Sequence, residues 1–482
     1  MVQARHIVRA RRVAESPHVA GDFPDFADNV LAQEVLYGAS CSIEIYSLTG
    51  DSVVYSHDAD RLLTPASVNK LLTSSAALDK LGPDYRFSTT CTMRGSLGLD
   101  GTLAGDLILQ AGGDPVSEIK TVDKDIAPHL RAWADSLAAH GLRHVSGNLV
   151  LRTWPCQLES AAPGWELSDV QAGFAPPLDG FGFYSNVCHL AVLPGTTEGG
   201  NASFEIDPPF APLHVTSNVV TSPAGTASSL TMQVEPEDTS VIVSGQIPLR
   251  HAPEFFWAPV QDPALYFGRA FRIAMESRGI HVDGDVVVDR TGYGAGDFGT
   301  VLFVHQSAPL SEVISVMNKE SDNYLAEYVL QALAMGAGGV GDRRAGTNAV
   351  LNFLQRCGVD RGDVAVEDGC GLAREDLVSA RSLVQLLRAM HAHPYGEVFK
   401  STLSVSGRDG TLSGRMGGTK YAGRLRGKTG SMTRVSALAG YLEGNNGEMY
   451  AVAFMFNNFR TTLSRVRAIQ DQILERLVER PS

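Results

Sequence analysis

The outer parts of the chain combine strand-like and helix-like hydrophobic patterns. Residues 41–46 and 52–55 predict a hairpin, because two short β-prone runs flank a turn. Three further β-prone runs predict strands at 424–430, 436–442 and 450–456. Both ends of the chain are therefore expected to contribute strands to one sheet.

Helical spacing of apolar residues marks two further elements. Between Val466 and Leu477 apolar residues recur at spacings of three, four and four, which predicts an amphipathic helix that covers the sheet. A second helix is predicted after residue 63, with Thr64 as its N-cap and Pro65 as its first helical residue.

The middle of the chain is rich in strand patterns. Residues 105–109, 147–151 and 284–288 each begin with a Gly-Asp or Gly-Asn pair and continue with β-prone aliphatic residues, so we interpret them as strands of one inserted unit. Residues 200–250 are rich in Thr, Ser, Val and Pro. They predict a second, mostly β insert, with a loop at residues 198–201 at its start.

Three short motifs supply candidate chemistry. They are Ser-Val-Asn-Lys at residues 67–70, Ser-Asp-Asn at 321–323 and Lys-Thr-Gly at 428–430. A helical spacing of three places the Lys70 amine beside the Ser67 hydroxyl, where a neutral amine can accept its proton. The second motif adds a hydroxyl and a carboxamide, and the third adds a cation and a strand edge with N–H donors. Together they predict a serine acyl-transfer site.

Competing interpretations accompany these motifs. A second Ser-x-x-Lys at residues 117–120 follows a Gly-Gly-Asp-Pro turn, so we assign the nucleophile to Ser67. Asp322 is expected to point away from the site and to stabilise a helix N-terminus. Asn323 has two open interpretations, a site carboxamide or a cap for a helix that begins near Tyr324.

The chain resembles the S13 serine peptidases, the penicillin-binding protein 4 type of D-alanyl-D-alanine carboxypeptidase and endopeptidase. The resemblance runs from about Ala39 to about Asn458. Beyond the three motifs it rests on residues 105–109, 112–115, 163–165, 307–310, 317–323, 368–372, 410–412 and 435–441. It implies an α/β fold: a transpeptidase/β-lactamase-like catalytic domain, with an antiparallel sheet flanked by helices, that carries one or two inserted strand-rich domains.

The resemblance implies a penicillin-binding enzyme that cleaves peptidoglycan stem peptides through an acyl-enzyme on Ser67. Lys70 is expected to act as the general base. Ser321 is expected to relay a proton to the leaving amine, and Asn323 to hold the substrate amide or the position of Lys70.

The third motif is expected to bind substrate. Lys428, with the hydroxyls of Thr429 and Ser431, suits a terminal carboxylate, and Gly430 lies between them on the same strand. The backbone N–H groups of Ser67 and Ser431 are expected to form the oxyanion hole.

Three departures from the family pattern concern the surroundings of the site. The family usually has serine where Cys370 stands and again at Ala373, so the hydrogen bonds of those hydroxyls are in question. Arg152 stands where relatives commonly place an acidic residue. If that acid recognises the far end of the peptide, an arginine would reverse the charge preference.

Length and motif positions give the expected domains. A chain of 482 residues is longer than a single hydrophobic core usually supports, and this length suggests about three domains. The predicted boundaries are 22–90 with 295–482 for the catalytic domain, 91–168 with 262–294 for the first insert, and 169–261 for the second.

Composition excludes several function classes. A net charge of −13 argues against binding to nucleic acid or anionic membrane. The 6 cysteines and 13 histidines form no metal-ligand spacing, so we expect no metal and no cofactor. Cys156 and Cys188 are candidates for a disulfide, with free buried thiols as the alternative.

The sequence shows no run of about 20 apolar residues that would span a membrane. Arginines at positions 5, 9, 11 and 12 are not followed by an apolar stretch, so no signal peptide is recognisable, and a polar leader is expected to about Ala20. The resemblance nevertheless implies an extracytoplasmic location. Homo-oligomerisation stays open.

Two alternatives remain. A β-lactamase or esterase of the same fold would need a group that hydrolyses the acyl-enzyme quickly, and no acidic motif clearly supplies one. A non-catalytic penicillin-binding wall protein would have lost a motif residue, and none is lost.

Overall fold

The computed structural model describes most of the chain. It covers residues 23–481 except 116–127, 154–161, 163, 167–168, 170–172, 176, 235–239, 292–298, 336–341, 418–419 and 446. The predicted leader, the second Ser-x-x-Lys at 117–120 and the Cys156 member of the candidate disulfide lie outside the described residues.

A six-stranded antiparallel sheet unites the two ends of the chain. In spatial order its strands are Ser404–Val405 (β18), Leu425–Met432 (β19), Val435–Glu443 (β20), Met449–Asn457 (β21), Ser40–Ser47 (β1) and Ser52–His57 (β2). The predicted hairpin and the three predicted C-terminal strands are confirmed.

Helices cover the sheets. Those that the structure describes are Phe23–Leu31 (α1), Lys70–Leu81 (α2), Pro128–Ala139 (α3), Pro263–Glu276 (α4), Leu310–Glu320 (α5), Asn323–Met335 (α6), Arg343–Arg356 (α7), Ala380–Ala392 (α8), Gly396–Ser401 (α9) and Leu463–Val478 (α10). None of them is long and apolar enough to cross a membrane.

The central strands β20 and β21 are buried along almost their whole length. One face packs against α1 and α10, and the other packs against a core that includes α2, α6 and α8. The predicted C-terminal helix is confirmed as α10, with its apolar positions from Val466 to Leu477 buried. Burial on both faces explains why these strands have continuous rather than alternating apolar residues.

A seven-stranded sheet forms the first inserted unit. Its strands are Ser88–Leu97 (β3), Thr102–Gln110 (β4), His144–Val145 (β5), Leu149–Arg152 (β6), His281–Val282 (β13), Val286–Asp289 (β14) and Thr300–Gln306 (β15). The three segments with similar openings, predicted as strands of one insert, contribute β4, β6 and β14 of this sheet, which the structure shows to be parallel neighbours. Because β15 pairs with β3, we propose that this insert ends after Gln306 rather than at 294.

The remaining strands form three small sheets. They are Val187–Leu193 (β7), Ser203–Asp207 (β8) and Glu254–Pro259 (β12); His214–Ser222 (β9), Thr231–Val234 (β10) and Ser240–Pro248 (β11); and Val364–Ala365 (β16) with Leu377–Val378 (β17). The mostly β character predicted for residues 200–250 is confirmed. The other domain boundaries stay predictions.

Candidate active site

Ser67 lies on a tight turn at the start of α2. A 3-10 turn, Ala66–Asn69, leads into the helix, and Ala66 has a positive φ of 48°. The predicted capping was wrong: Pro65 occupies the N-cap position, and Thr64 Oγ1 donates to the carbonyl of Arg374 at 3.4 Å instead. A non-glycine residue in this conformation is costly, so the surrounding contacts must hold the turn in place.

Lys70 is completely buried at the first residue of α2. Its Nζ is 3.0 Å from Ser67 Oγ, 2.7 Å from Asn323 Oδ1 and 2.8 Å from the Cys370 carbonyl oxygen. Burial lowers the pKa of Lys70, although the nearby Cys370 thiol and Asp368 carboxylate act in the opposite direction. A neutral amine held by the carboxamide and the carbonyl would direct its lone pair at the Ser67 hydroxyl.

Ser321 and Lys428 form a second pair. Ser321 ends α5 in the left-handed conformation, with a φ of 62°. Lys428 is fully buried, and its Nζ donates to Ser321 Oγ and to the Thr429 carbonyl oxygen, both at 2.8 Å. Burial holds the pKa of Lys428 well below its usual range, and the charge of Lys70 lowers it further.

Asp322 and Asn323, the two residues after Ser321, make different contacts. Asp322 Oδ1 accepts a hydrogen bond from the Leu325 N–H at 2.9 Å, so the expected role at a helix N-terminus is confirmed. Asn323 accepts from Lys70 and donates through Nδ2 to the Phe174 carbonyl oxygen at 3.1 Å. Its side chain therefore belongs to the site, and the interpretation as a helix cap was wrong.

Strand β19 passes directly against the turn of Ser67. A Cβ atom added at Gly430 would lie 2.4 Å from the Pro65 carbonyl oxygen and 3.1 Å from the Ser67 nitrogen, so only glycine permits this approach. The Thr429 hydroxyl donates to Thr411 Oγ1 at 2.8 Å. The strand was expected at the sheet edge, but β18 pairs with residues 426–427, so among the described strands β19 is an edge only from residue 428 onward.

A cleft of about 400 Å³ opens over these motifs. Among the residues predicted from the sequence, those that line it are Ser67, Ser321, Asn323, Thr429 and Ser431. The two lysines lie below this surface, hydrogen-bonded to the hydroxyls that line it. The structure therefore brings the three motifs to one place.

Residues 368–373 form one wall of the cleft. The buried Asp368 carboxylate accepts hydrogen bonds from the backbone N–H groups of residues 370–373 at 2.5 to 2.9 Å and from Trp165 Nε1 at 2.8 Å. Burial alone would raise the pKa of Asp368, but these donors and the Asp376 carboxyl outweigh it and leave the pKa lowered.

The two departures in this loop affect the site differently. Cys370 places its thiol 3.5 Å from Asp368 Oδ2 and its carbonyl oxygen on Lys70. Ala373 contributes a backbone N–H to Asp368, which needs no hydroxyl. Asp368-Gly369 thus begins an active-site wall rather than a simple loop.

Arg152 does not line the cleft. It ends β6, and its Nε lies 3.3 Å from Asp289 Oδ2, opposite it in the parallel ladder. Arg152 is therefore paired within the insert, and a reversed charge preference for the far end of the peptide, conditional on that position recognising it, stays a prediction.

One buried cluster contains residue types that bind metals. Oxygen or sulfur atoms of Glu327, Asp368 and Cys370 lie within 4.8 Å of one another. Glu327 already pairs with Arg343 at 3.0 Å and accepts from the Gly369 N–H at 2.8 Å. Burial raises the pKa of Glu327 to about 7. Internal contacts account for the cluster, and the absence of a metal stays a prediction.

Comparison with known proteins identifies the family. The model of the D-Ala-D-Ala carboxypeptidase 3 (S13) family matches residues 26–479. The chain belongs to the S13 peptidase family. This S13 peptidase is 31% identical over 463 residues to a D-alanyl-D-alanine carboxypeptidase of Actinomadura sp., covering 94% of this chain and 84% of the relative. It is 26% identical over 451 residues to the D-alanyl-D-alanine carboxypeptidase DacB of Haemophilus influenzae, covering 92% and 91%.

Solved structures share the fold of this S13 peptidase. Penicillin binding protein 4 from Haemophilus influenzae superposes with a TM-score of 0.82 at 23% identity, covering 94% of this chain and 99% of that chain. A predatory peptidoglycan endopeptidase from Bdellovibrio bacteriovorus gives a TM-score of 0.50 at 16% identity, covering 91% and 93%. The predicted α/β catalytic fold with strand-rich inserts is confirmed.

Several lining residues of this S13 peptidase were missed from the sequence. They are Glu166, Asp169, Phe174, Arg374 and Arg467. Glu166 and Arg374 form an ion pair across the cleft wall. Burial raises the pKa of Asp169, and the charge of Glu166 raises it further. No local pattern marks these residues, because they come from three segments, 166–174, 374 and 467, that are distant from one another and from the three motifs in sequence.

Proposed function

We propose that this S13 peptidase is a serine-type D-alanyl-D-alanine carboxypeptidase or endopeptidase that acts on peptidoglycan stem peptides through an acyl-enzyme on Ser67. One observation carries the proposal: the Nζ of a fully buried Lys70 lies 3.0 Å from Ser67 Oγ, at the base of the cleft where the other two motifs meet. The family membership and the named functions of the relatives support it.

Acylation begins with the neutral form of Lys70. Lys70 accepts the hydroxyl proton while Ser67 Oγ attacks the carbonyl carbon between two D-alanines. The carbonyl oxygen becomes an oxyanion, which the N–H groups of Ser67 and Ser431 stabilise. Each such donor contributes about 3 to 4 kcal/mol to the transition state. The close approach of Gly430 to the Ser67 nitrogen supports this pairing of strand and helix.

Collapse of the tetrahedral intermediate expels the D-alanine amine. Ser321 gives its hydroxyl proton to that amine and is reprotonated from Lys428, which lies 2.8 Å away. The lowered pKa of Lys428 makes such a transfer easier than from an exposed lysine.

The proton that Lys70 took from Ser67 passes to Lys428 through the hydroxyls of the site, so Lys70 becomes neutral and Lys428 charged again. Neutral Lys70 then accepts a proton from the water that attacks the acyl carbonyl and gives it to Ser67 Oγ as the ester bond breaks. The acid product loses its own proton to solvent, and the site is back in its starting state.

The proposed substrate fixes the expected partners and location. Peptidoglycan lies outside the cytoplasmic membrane, so we place the enzyme in an extracytoplasmic compartment. β-Lactams, which imitate the D-Ala-D-Ala end, are its expected inhibitors. The solved complex of penicillin binding protein 4 from Haemophilus influenzae with a β-lactam supports this expectation.

The decisive test combines penicillin labelling with peptide hydrolysis. We expect labelled penicillin to form one adduct, which peptide mapping finds on Ser67, and we expect a D-Ala-D-Ala peptide to release D-alanine. Ser67→Ala should abolish both. An adduct on Ser117, or no adduct at all, would disprove the assignment.

A β-lactamase of the same fold is the second candidate. The carboxylates of Glu166 and Asp169 line the cleft and are the groups that could activate a deacylating water. Glu166 is already paired with Arg374, which argues against that role for it. We expect the penicillin adduct to persist for minutes or longer. Rapid turnover of penicillin that Asp169→Asn slows would favour the β-lactamase.

A further inference from the structure

The three-stranded sheet of β7, β8 and β12 has one face that is open to solvent. Its other face is buried, since Cys188, Leu190 and Val192 of the central strand β7 belong to a core that includes helix α4. On strand β12 the side chains of Phe255 and Trp257 point to the open face and are 66% and 53% exposed. Two large aromatic side chains exposed together on one strand are an aggregation hazard, so a binding role would explain them.

The neighbouring strands complete this open face with an imidazole and two carboxylates. Directly opposite Trp257 lies His189 of β7, and the two ring centroids are 3.7 Å apart at an interplanar angle of 70°. Strand β8 places the exposed Asp207 opposite His189 and the exposed Glu205 opposite Ala191. Directly paired residues of a sheet point to the same face. The open face therefore has aromatic rings along one edge and carboxylates along the other.

A short segment joins this open face to the active-site cleft. Gly173 packs against Trp257, because a Cβ atom added at Gly173 would lie 3.1 Å from Trp257 Cβ. The next residue, Phe174, is 61% exposed and lines the cleft, and its carbonyl oxygen accepts from Asn323 Nδ2 at 3.1 Å. A ligand that extends out of the cleft past Phe174 therefore meets the ring of Trp257.

The chemistry of the open face fits a carbohydrate. The C–H groups on one side of a sugar ring form an apolar plane that stacks on an aromatic ring, and its hydroxyl and N-acetyl N–H groups donate to carboxylates. Residues two apart on a strand are separated by about 7 Å, so both aromatic rings can contact one oligosaccharide. A second copy of this chain fits less well, because each copy would bring Glu205 and Asp207 to the contact and add like charges.

We propose that Phe255 and Trp257, with the carboxylates of Glu205 and Asp207, bind the glycan strand that carries the stem peptide. The inference rests on the proposed function of the Ser67 site. Because the stem peptide is covalently attached to the glycan, binding of one part raises the effective concentration of the other. A glycan-linked peptide is therefore a better substrate than the same peptide alone.

The test compares two substrates that contain the same peptide. One is a free pentapeptide that ends in D-Ala-D-Ala, and the other carries this pentapeptide on a tetrasaccharide of alternating N-acetylglucosamine and N-acetylmuramic acid. Release of D-alanine gives kcat/KM for each, and we expect the intact enzyme to favour the glycan-linked peptide. Trp257→Ala should lower kcat/KM for that substrate by about 10-fold, the usual effect of truncating one aromatic anchor, and leave the value for the free peptide unchanged.

Three further variants control the experiment. Phe255→Ala removes the ring two residues away from the contact with Gly173 and should reproduce the selective loss. Trp257→Phe keeps an aromatic ring and should retain most of the preference for the glycan-linked peptide. Tyr37→Ala removes an aromatic side chain that is 84% exposed in the segment before β1 and should change neither rate. Labelling of Ser67 by penicillin would show that each variant is folded.

A binding measurement examines the open face without catalysis. The probe is a hexasaccharide of β-linked N-acetylglucosamine, which carries no peptide. We expect it to change the tryptophan fluorescence of the intact protein but not that of Trp257→Ala. If the hexasaccharide leaves the fluorescence of the intact protein unchanged, the open face is not a glycan site.

The outcomes separate the inference from the proposed function. Equal losses for both substrates in the alanine variants, or no loss for either, would overturn the glycan site while leaving the peptidase intact. A dimer in sedimentation experiments that Trp257→Ala dissociates would assign the open face to a second copy of the chain instead. An intact enzyme that cleaves neither substrate would overturn the proposed function, and the fluorescence measurement would then decide on glycan binding by itself.

Discussion

At the scale of single residues, the site contains two lysines with different hydrogen-bond partners. Lys70 faces Ser67 and two fixed acceptors, whereas Lys428 faces Ser321 and a backbone carbonyl. Both are wholly buried, which disfavours the charged form of each. The arrangement supports a base on the nucleophile side and a proton donor on the leaving-group side.

Replacement of each lysine by arginine tests this division. Lys70→Arg keeps the positive charge but removes the ability to become neutral, since guanidinium stays protonated. We expect the rate of acylation by penicillin to fall by about 10²- to 10⁴-fold, the usual loss of a general base. Lys428→Arg keeps a hydrogen-bond donor to Ser321 but cannot reprotonate it. Because Ser321 supplies its own hydroxyl proton in this single acylation step, the acylation rate should fall less. Equal losses of acylation rate in the two folded variants would mean that a group other than Lys70 is the base.

The lowered pKa of the buried lysines predicts a pH dependence. Only the neutral form of Lys70 accepts the Ser67 proton, so acylation should rise with pH as that form is populated. The midpoint should lie below the ordinary lysine pKa of 10.5. Acylation rates measured from about pH 5 to about pH 10 check this. A rate independent of pH over that range, or a midpoint at or above 10.5, would contradict a lysine base.

At the scale of elements, the site depends on the contact between strand β19 and the turn before helix α2. Gly430 is the residue at which the strand backbone meets the carbonyl of Pro65 and the nitrogen of Ser67. Because both sides of this contact are backbone atoms, neither the strand nor the turn can shift without moving Ser67.

Gly430→Ala should therefore disturb the site. The added methyl group would lie 2.4 Å from the Pro65 carbonyl oxygen, and overpacking of this kind typically costs about 1 to 3 kcal/mol. We expect a lower melting temperature and an acylation rate reduced by at least about 10-fold, in line with that cost. Gly414→Ala, with open space around the new Cβ, is the matched control. If Gly430→Ala acylates at the same rate as the control, the contact between Gly430 and the turn of Ser67 is not needed for acylation.

At the scale of the whole molecule, Trp165 connects the segment between β6 and β7 to the wall of the active site. Its Nε1 donates to Asp368 at 2.8 Å, and the Arg343 guanidinium lies 5.4 Å from its ring centroid. The loop that positions the Cys370 carbonyl on Lys70 therefore depends on a residue about 200 positions away in sequence.

Trp165→Phe removes that donor and leaves the buried Asp368 carboxylate with one hydrogen bond fewer. We expect a loss of about 1.5 to 3 kcal/mol in the free energy of unfolding, the usual value for a hydrogen bond to a charged group. Trp257→Phe, at a position that is 53% exposed, should change stability by less than about 0.5 kcal/mol. Chemical denaturation of both variants provides the measurement, and equal stabilities would show that the contact contributes nothing.

Short-range sequence signals predicted much of the fold and part of the site. The hairpin, the C-terminal strands, helix α10 and the three similar strands of the first insert followed from local patterns of apolar residues, whereas the parallel pairing of those three strands did not. The start of α2 did not. Thr64 fits the chemistry of a cap, but a 3-10 turn forms there, where β19 packs against Pro65 and Ser67 and the loop at residue 371 packs against Ala66.

The sequence by itself determined the reaction class, because the motif residues and their order match a family of serine acyl-transfer enzymes and supply candidates for a nucleophile, a base and a proton donor. Only the tertiary structure decided what surrounds them. It buried Lys428 beneath the cleft, although the sequence favoured this lysine for a carboxylate, and it brought Arg467 to the cleft surface. The physical reason is that the burial of a side chain and the charges around it depend on packing between segments that are distant in sequence. The spacing of residues along the chain carries no information about that packing.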